Sequence, residues 1–122
     1  EGVGQLLGNI GMIREHLNNN LHISAIVLTM YDARTRLAAD VADEVRGQFG
    51  QVVLNNVIPR SVKVSEAPGY GQTVIDYDPG SRGALAYFDA AKELATRGDY
   101  QPHPTTGPIG VSPEVYNQLE EE

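Results

Sequence analysis

The feature that most constrains this chain is the run His22 to Met30, HISAIVLTM, in which Ile23, Ala25, Ile26, Val27 and Leu28 leave no polar face to turn toward water. A half-buried strand alternates apolar and polar residues, whereas a near-continuous apolar run suits a strand covered on both faces, as in a parallel sheet. A parallel sheet needs helical crossovers, and the flanks supply them. Upstream, Val3, Leu6, Leu7, Ile10, Ile13 and Leu17 recur every three or four residues, which predicts a helix over 2–17. Its glycines at 2, 4, 8 and 11 weaken it, so it depends on packing, and Asn18, Asn19 and Asn20 end it. Nothing before Glu1 caps that helix, so the chain is expected to begin inside an element, at a cut. Downstream, Leu37, Val41, Val45 and Phe49 form a four-residue stripe expected to face the sheet, with Gly50 as a left-handed cap. Gln51 to Ile58 is a second strand, interrupted by Asn55 and Asn56. Helix, strand, helix, strand implies an α/β fold with right-handed crossovers.

The second strand runs into VIPRSVKVSEAPGYG, residues 57–71. Pro59 has no N–H to donate, so the ladder stops there. Ser61 is placed to cap a short helical turn, Pro68 and Gly69 to end it, and Arg60 and Lys63 then stand three apart on one face. In open α/β sheets ligands bind at this edge, beyond the carboxyl ends of the strands. Thr73 to Tyr77 is read as a short extended piece. Asp78, Pro79 and Ser81 open a last helix, for which Ala84, Tyr87, Phe88, Ala91 and Leu94 are the expected buried face.

From Gly98 the character changes: Pro102, Pro104, Pro108 and Pro113 break any periodicity, and Asp99, Glu114, Glu120, Glu121 and Glu122 meet no Lys or Arg. Residues 98–122 are therefore read as a flexible acidic tail, with 112–119 able to form a helical turn or two on a partner. The formal charge of -7 is mostly this tail. The body keeps eleven acids against nine bases, and Arg34, Arg36, Arg60 and Lys63 gather on two loops. Local patches of that kind grip phosphates regardless of net charge. The absence of cysteine fits a reducing, cytoplasmic setting, and no apolar run is long enough to span a bilayer. His22 has no second metal-type residue at a workable spacing and is read as a surface histidine; no metal site is expected.

The chain has no G-x-x-x-x-G-K-[ST] phosphate loop, no G-x-G-x-x-G and no nucleophilic triad, so no catalytic residue is assigned. Three segments nevertheless carry a resemblance: TMYDARTRL at 29–37, VIPRSVKVSEAPGYGQTV at 57–74 and DYDPGSRGALAYFDAAKEL at 76–94. In this order they resemble the C-terminal half of ParA/Soj chromosome-partitioning ATPases, over residues 1 to about 97. The resemblance implies half of a P-loop NTPase-type parallel sheet whose deviant Walker A loop lies upstream. The parent protein would use ATP and Mg2+, and this chain alone would be inactive.

That resemblance further implies ATP-bound homodimers that hold non-specific DNA on the nucleoid and are released when a ParB-type centromere-binding partner stimulates hydrolysis. Thr29, Met30, Pro59 and Arg60 match positions bordering the adenine. Arg34 and Lys63 match the family's DNA-contacting cations, with Arg60 a third and Arg36 and Arg82 able to join. The family often has a further base in the turn where this chain has Gly80. A MinD-like positioning ATPase uses the same sheet but ends in a basic amphipathic helix, against which this acidic, proline-rich tail argues. A non-catalytic interaction module that recruits a partner through the tail is the alternative of a different class.

Overall fold

The computed structural model describes residues 2–97. Of these, 2–24 belong to one compact unit and 25–97 to another. The tail expected at 98–122 lies outside the described residues.

In the first unit, α1 spans Gly2–His16, close to the predicted 2–17, with Gly4 and Leu7 buried. Its last turn closes when the N–H groups of Leu17 and Asn18 both donate to the Ile13 carbonyl. The asparagine run then turns the chain: Asn18 accepts the Asn20 N–H on its side chain at 3.0 Å and the Leu21 N–H on its carbonyl at 3.2 Å. Arg14, from the last turn of the helix, donates to the Leu21 carbonyl at 2.9 Å.

The second unit is built on the expected parallel pairing, but continuous strands do not form among the described residues. Ile26 pairs with Val53 and Tyr31 with Pro59, both parallel, as isolated bridges. Ile26 donates to Val52 and accepts from Leu54, in regular parallel register. In an unbroken ladder the Leu28 carbonyl would next accept from residue 56. It accepts from Ile58 instead, at 2.8 Å, so two residues of the second segment are looped out. The first segment then takes up one extra residue, Met30, at φ 54°, before Tyr31 donates to Ile58 and accepts from Arg60. These are bulges, and each leaves backbone groups without ladder partners.

At the first bulge side chains supply such partners. The Asn55 and Asn56 N–H groups donate to the Glu93 carboxylate at 2.7 and 2.9 Å, and the Asn56 side-chain amide donates to it at 2.7 Å. Arg46 donates to the Leu54 carbonyl at 3.1 Å, and Arg97 donates to the carbonyls of Val52 and Val53. Arg97 also pairs with Glu93 at 3.2 Å. The interruption read at Asn55 and Asn56 is thus a bulge held directly by Glu93 and Arg46, from two helices, with Arg97 bonding Glu93 and the segment just before the bulge.

Helix α2, Arg36–Phe49, opens at Thr35, whose hydroxyl accepts the Ala38 N–H at 3.2 Å. It ends at Gly50, whose φ of 62° favours glycine. Its stripe is only half covered: Phe49 is buried and Val45 half-buried, while Leu37 and Val41 are exposed. The expectation that all four face the sheet is corrected.

Helix α3, Val62–Glu66, follows Ser61, whose side chain makes no capping bond. Arg60 precedes it, so Arg60 and Lys63 do not share a helical face as expected. Nor do Pro68 and Gly69 stop the chain's coiling. A 3-10 turn continues over Ala67–Tyr70, where Pro68 sits in the first turn, whose N–H groups lack partners anyway, and left-handed Gly71 ends it. The piece 73–77 expected to be extended is helical: α4, Val74–Tyr77, is capped by Thr73, whose hydroxyl accepts the Asp76 N–H. Ser81 caps the last helix, α5, Arg82–Arg97, by accepting the Ala84 N–H at 3.2 Å.

Two clusters form the core of this unit. Leu54, Ile58 and Ala90 pack with Ala25, Ala86 and Tyr87, and Ala67, Val74 and Ala84 pack with Val64, Tyr77 and Tyr87. Tyr87 joins them. The packed face of α5 is therefore Gly83, Ala84, Ala86, Tyr87, Ala90, Glu93 and Arg97: Ala84 and Tyr87 pack as expected, while Phe88, Ala91 and Leu94 are exposed. Gly83 lets α5 approach α3: a Cβ there would lie 2.5 Å from the Val64 Cγ2 and 3.1 Å from the Ser61 Oγ. Alanine gains about 1 kcal/mol in helix propensity, but overpacking against a stiff β-branched side chain costs about 1–3 kcal/mol. Gly83→Ala is expected to lower the urea midpoint of the full-length protein; a raised midpoint would mean that propensity outweighs the clash.

Candidate functional site

The two bridged segments end together at Tyr31 and Pro59, and the chain leaves both in loops. The first loop is a turn nucleated by Asp32. Its carbonyl accepts the Thr35 N–H at 3.0 Å and the Thr35 hydroxyl at 2.8 Å, and its carboxylate accepts the Arg34 N–H at 3.1 Å. Arg34 folds back so that Nε donates to Oδ1 at 3.0 Å and Nη2 to Oδ2 at 2.9 Å, a two-pronged ion pair. Those bonds from the Arg34 side chain, then that from its backbone N–H, hold the Asp32 carboxyl down at about 2, with the Arg34 and Arg60 charges assisting against partial burial. The Arg34 guanidinium is pushed up in turn, chiefly by its bonds to Asp32.

A pocket of about 220 Å³ lies at these segment ends, lined by Tyr31, Asp32, Ala33, Arg34, Pro59, Arg60 and Arg82. Three arginines and one aspartate leave it with two net positive charges. Of the predicted site residues, Arg34, Pro59, Arg60 and Arg82 come together here. Thr29 and Met30 do not line it, and Met30 is the exposed bulge residue. Arg36 also lies outside the lining, with its side chain 94% exposed and 4.0 Å from Asp40.

Lys63 is placed differently. Its ammonium lies 3.9 Å from Glu66, 3.8 Å from Asp78 and 5.8 Å from the centre of the Tyr77 ring. Tyr77 stacks on Tyr70, ring centres 5.2 Å apart, and donates its hydroxyl to Glu66 at 2.8 Å. That bond, then burial, then the Glu66 charge push the Tyr77 phenol up to about 12. Two acids share this lysine's charge, so its field at a distance is weaker than that of Arg34, Arg60 and Arg82 acting together.

Reading the sequence for cations missed Asp32, Tyr31 and the acids around Lys63. The available signal was D-x-R-T, an aspartate two residues before an arginine and three before a helix-capping threonine. Among the described residues, no cluster of three His, Cys, Asp or Glu side chains fits a magnesium ion, and no helix is long and apolar enough to cross a membrane. With two net positive charges and the apolar ring of Pro59 in its lining, the pocket is chemically suited to anions and to flat, weakly polar groups.

Residues 2–74 match the CobQ/CobB/MinD/ParA nucleotide binding domain. The chain is 49% identical over 98 residues to the sporulation initiation inhibitor protein Soj of Bacillus subtilis, a match covering 80% of this chain and 39% of that protein. It is 46% identical over 97 residues to the chromosome partitioning protein ParA of Caulobacter vibrioides, covering 80% and 36%. To the chromosome-partitioning ATPase Soj of Thermus thermophilus it is 43% identical over 97 residues, covering 80% and 39%. The chain thus spans about two fifths of the length of the curated relatives it matches.

Proposed function

This chain belongs to the CobQ/CobB/MinD/ParA nucleotide-binding family, as a ParA/Soj member, and from that membership we propose that it forms part of an ATPase that partitions chromosomes or plasmids by holding DNA without regard to sequence. The observation that carries this reading is the convergence of Arg34, Arg60 and Arg82 on one pocket where two strand segments end. Long cations on loops reach phosphates from outside the duplex, and such contacts position a protein without reading bases. Arg34 and Arg60 are the principal contacts in this proposal. Arg82 and Lys63 extend the surface, and exposed Arg36 adds to its edge.

The same strand ends border the adenine of ATP. Pro59 gives a flat apolar wall, and the backbone around Thr29, Met30 and Arg60 carries donors and acceptors of the kind that read a purine edge. The phosphates and Mg2+ would be held by residues outside this chain, which has no phosphate loop. ATP binding would pair two copies, DNA would be held by the dimer at the nucleoid in the cytoplasm, and a ParB-type protein would be the partner that triggers release. Filter binding of the full-length protein with ATP and random-sequence duplex DNA tests this reading. A dimer neutralising about five phosphates is expected to lose on the order of 10² to 10³ in affinity between 50 and 200 mM salt. A flat salt response would overturn it.

A further inference from the structure

We propose that Asp32 is a positioning residue for DNA binding: it latches the Arg34 guanidinium side-on so that the outer edge of the fork is held ready for a phosphate. The inference rests on the DNA-binding reading above. A guanidinium has five N–H donors on a planar fork. Asp32 takes one from Nε and one from Nη2, at 3.0 and 2.9 Å, leaving the Nη1 group and the second Nη2 hydrogen on the outward edge. The two side chains are unequally placed, since Asp32 is 18% exposed and Arg34 86%. The carboxylate is the fixed half and the guanidinium the half offered to solvent.

The carboxylate is itself held. It accepts the Arg34 N–H at 3.1 Å, and Thr35 ties the Asp32 carbonyl through both its N–H and its hydroxyl. Arginine is among the side chains with most rotamer freedom to lose, and a ligand that must order it binds more weakly than one that finds it ordered. Asp32 also brings a negative charge to an anion site, which opposes binding. Two facts limit that opposition. Three arginines face one aspartate around the pocket, and the guanidinium edge offered to a phosphate stands in water, where charge interactions are strongly screened. With its carboxyl held down at about 2, Asp32 is ionised at neutral pH and available to the Arg34 fork.

The sign of one substitution separates a latch from a brake. Asp32→Asn keeps an oxygen for the Arg34 N–H, and so keeps the turn, but puts an amide where the second prong needs an acceptor. By filter binding on the full-length protein with ATP and random-sequence DNA, D32N is expected to weaken retention about three- to tenfold, the effect of freeing one long side chain, although it makes the protein more positive. The slope of log affinity against log salt should flatten as the Arg34 contact is lost. In an Arg34→Ala background D32N should do nothing further. Tighter binding with a steeper slope would overturn the proposal, and so would an equal loss in the R34A background, which would mark Asp32 as merely structural. If R34A alone leaves retention unchanged, the DNA reading fails, and the Arg34 Nε–Hε resonance in solution then judges the latch by itself. Slow exchange with solvent that is lost in D32N supports it, and exchange unaltered by the substitution overturns it.

Discussion

Arg34→Glu is expected to lower DNA retention by the full-length, ATP-bound protein by at least about 10²-fold at 50 mM salt, a larger effect than that of Lys63→Gln or Asp32→Asn. The substitution does more than remove a contact. It sets a second carboxylate beside Asp32, taking the pocket from three cations and one anion to two of each. In a dimer it removes two phosphate contacts of about five, so the salt slope should fall from about 4.5 to about 2.7. Folding should survive, because among the described residues Arg34 bonds only to Asp32, and the turn stays tied by Thr35. ATP hydrolysis without DNA should also survive, since no phosphate loop lies in this chain. At Lys63 a charge reversal would be a poor test, because a new carboxylate would face Glu66 and Asp78 within about 4 Å and disturb the fold. Lys63→Gln avoids this, and a loss of only about threefold is expected, in keeping with a cation already shared by two acids. Full retention in both R34E and K63Q at low salt would remove these loops from the DNA surface.

The parallel pairing, α1 and the basic character of the two loops were legible because each rests on neighbours in sequence: apolar runs, three- and four-residue spacings, and cations beside strand ends. What escaped depends on residues far apart. Nothing near Asn55 and Asn56 says whether their N–H groups will find partners; Glu93, 38 and 37 positions away, supplies them. The same circumstance hid the face of α5. A helix is ordinarily turned by its apolar residues, yet here Glu93 turns inward to accept the bulge N–H groups and Arg97 to bond the carbonyls just before the bulge, and Phe88 and Leu94 turn outward. Lys63 followed the same logic. Its local sequence gives a cation on a short helix, while its environment depends on Asp78 and Tyr77, contributed by the next helical turn and the loop after it. The grouping of Arg82 with Arg34 and Arg60 was likewise only partly legible, since it requires the start of α5 to lie at the strand ends.

Glu93→Ala is expected to destabilise the full-length protein by about 3 kcal/mol, the largest stability effect of any substitution considered. Its carboxylate, 14% exposed, is the acceptor for both bulge N–H groups, for the Asn56 side-chain amide and for Arg97. Alanine removes the acceptor but none of the donors, and hydrogen bonds to a charged group contribute about 1.5–3 kcal/mol each. Arg97 loses its counter-charge while still committed to the carbonyls of Val52 and Val53, and breaking a buried pair on one side costs about 3–5 kcal/mol. Water reaching the opened site offsets part of both. At a urea m-value of about 2 kcal/mol/M the midpoint should fall by about 1.5 M. The acid dependence has a definite sign. Burial alone would raise the Glu93 carboxyl, but the Asn55 and Asn56 N–H groups, the Asn56 amide and the Arg97 charge together hold it below its ordinary 4.5. Its contribution is therefore complete above pH 4.5 and disappears as pH falls through the lower folded value. Glu93→Gln keeps one oxygen for the bulge, so it should cost roughly half as much and remove that acid-dependent part. A midpoint for E93A within about 0.3 M of the parent, or an E93Q profile still falling as steeply below pH 4.5, would mean that the bulge is held by packing, with the carboxylate incidental.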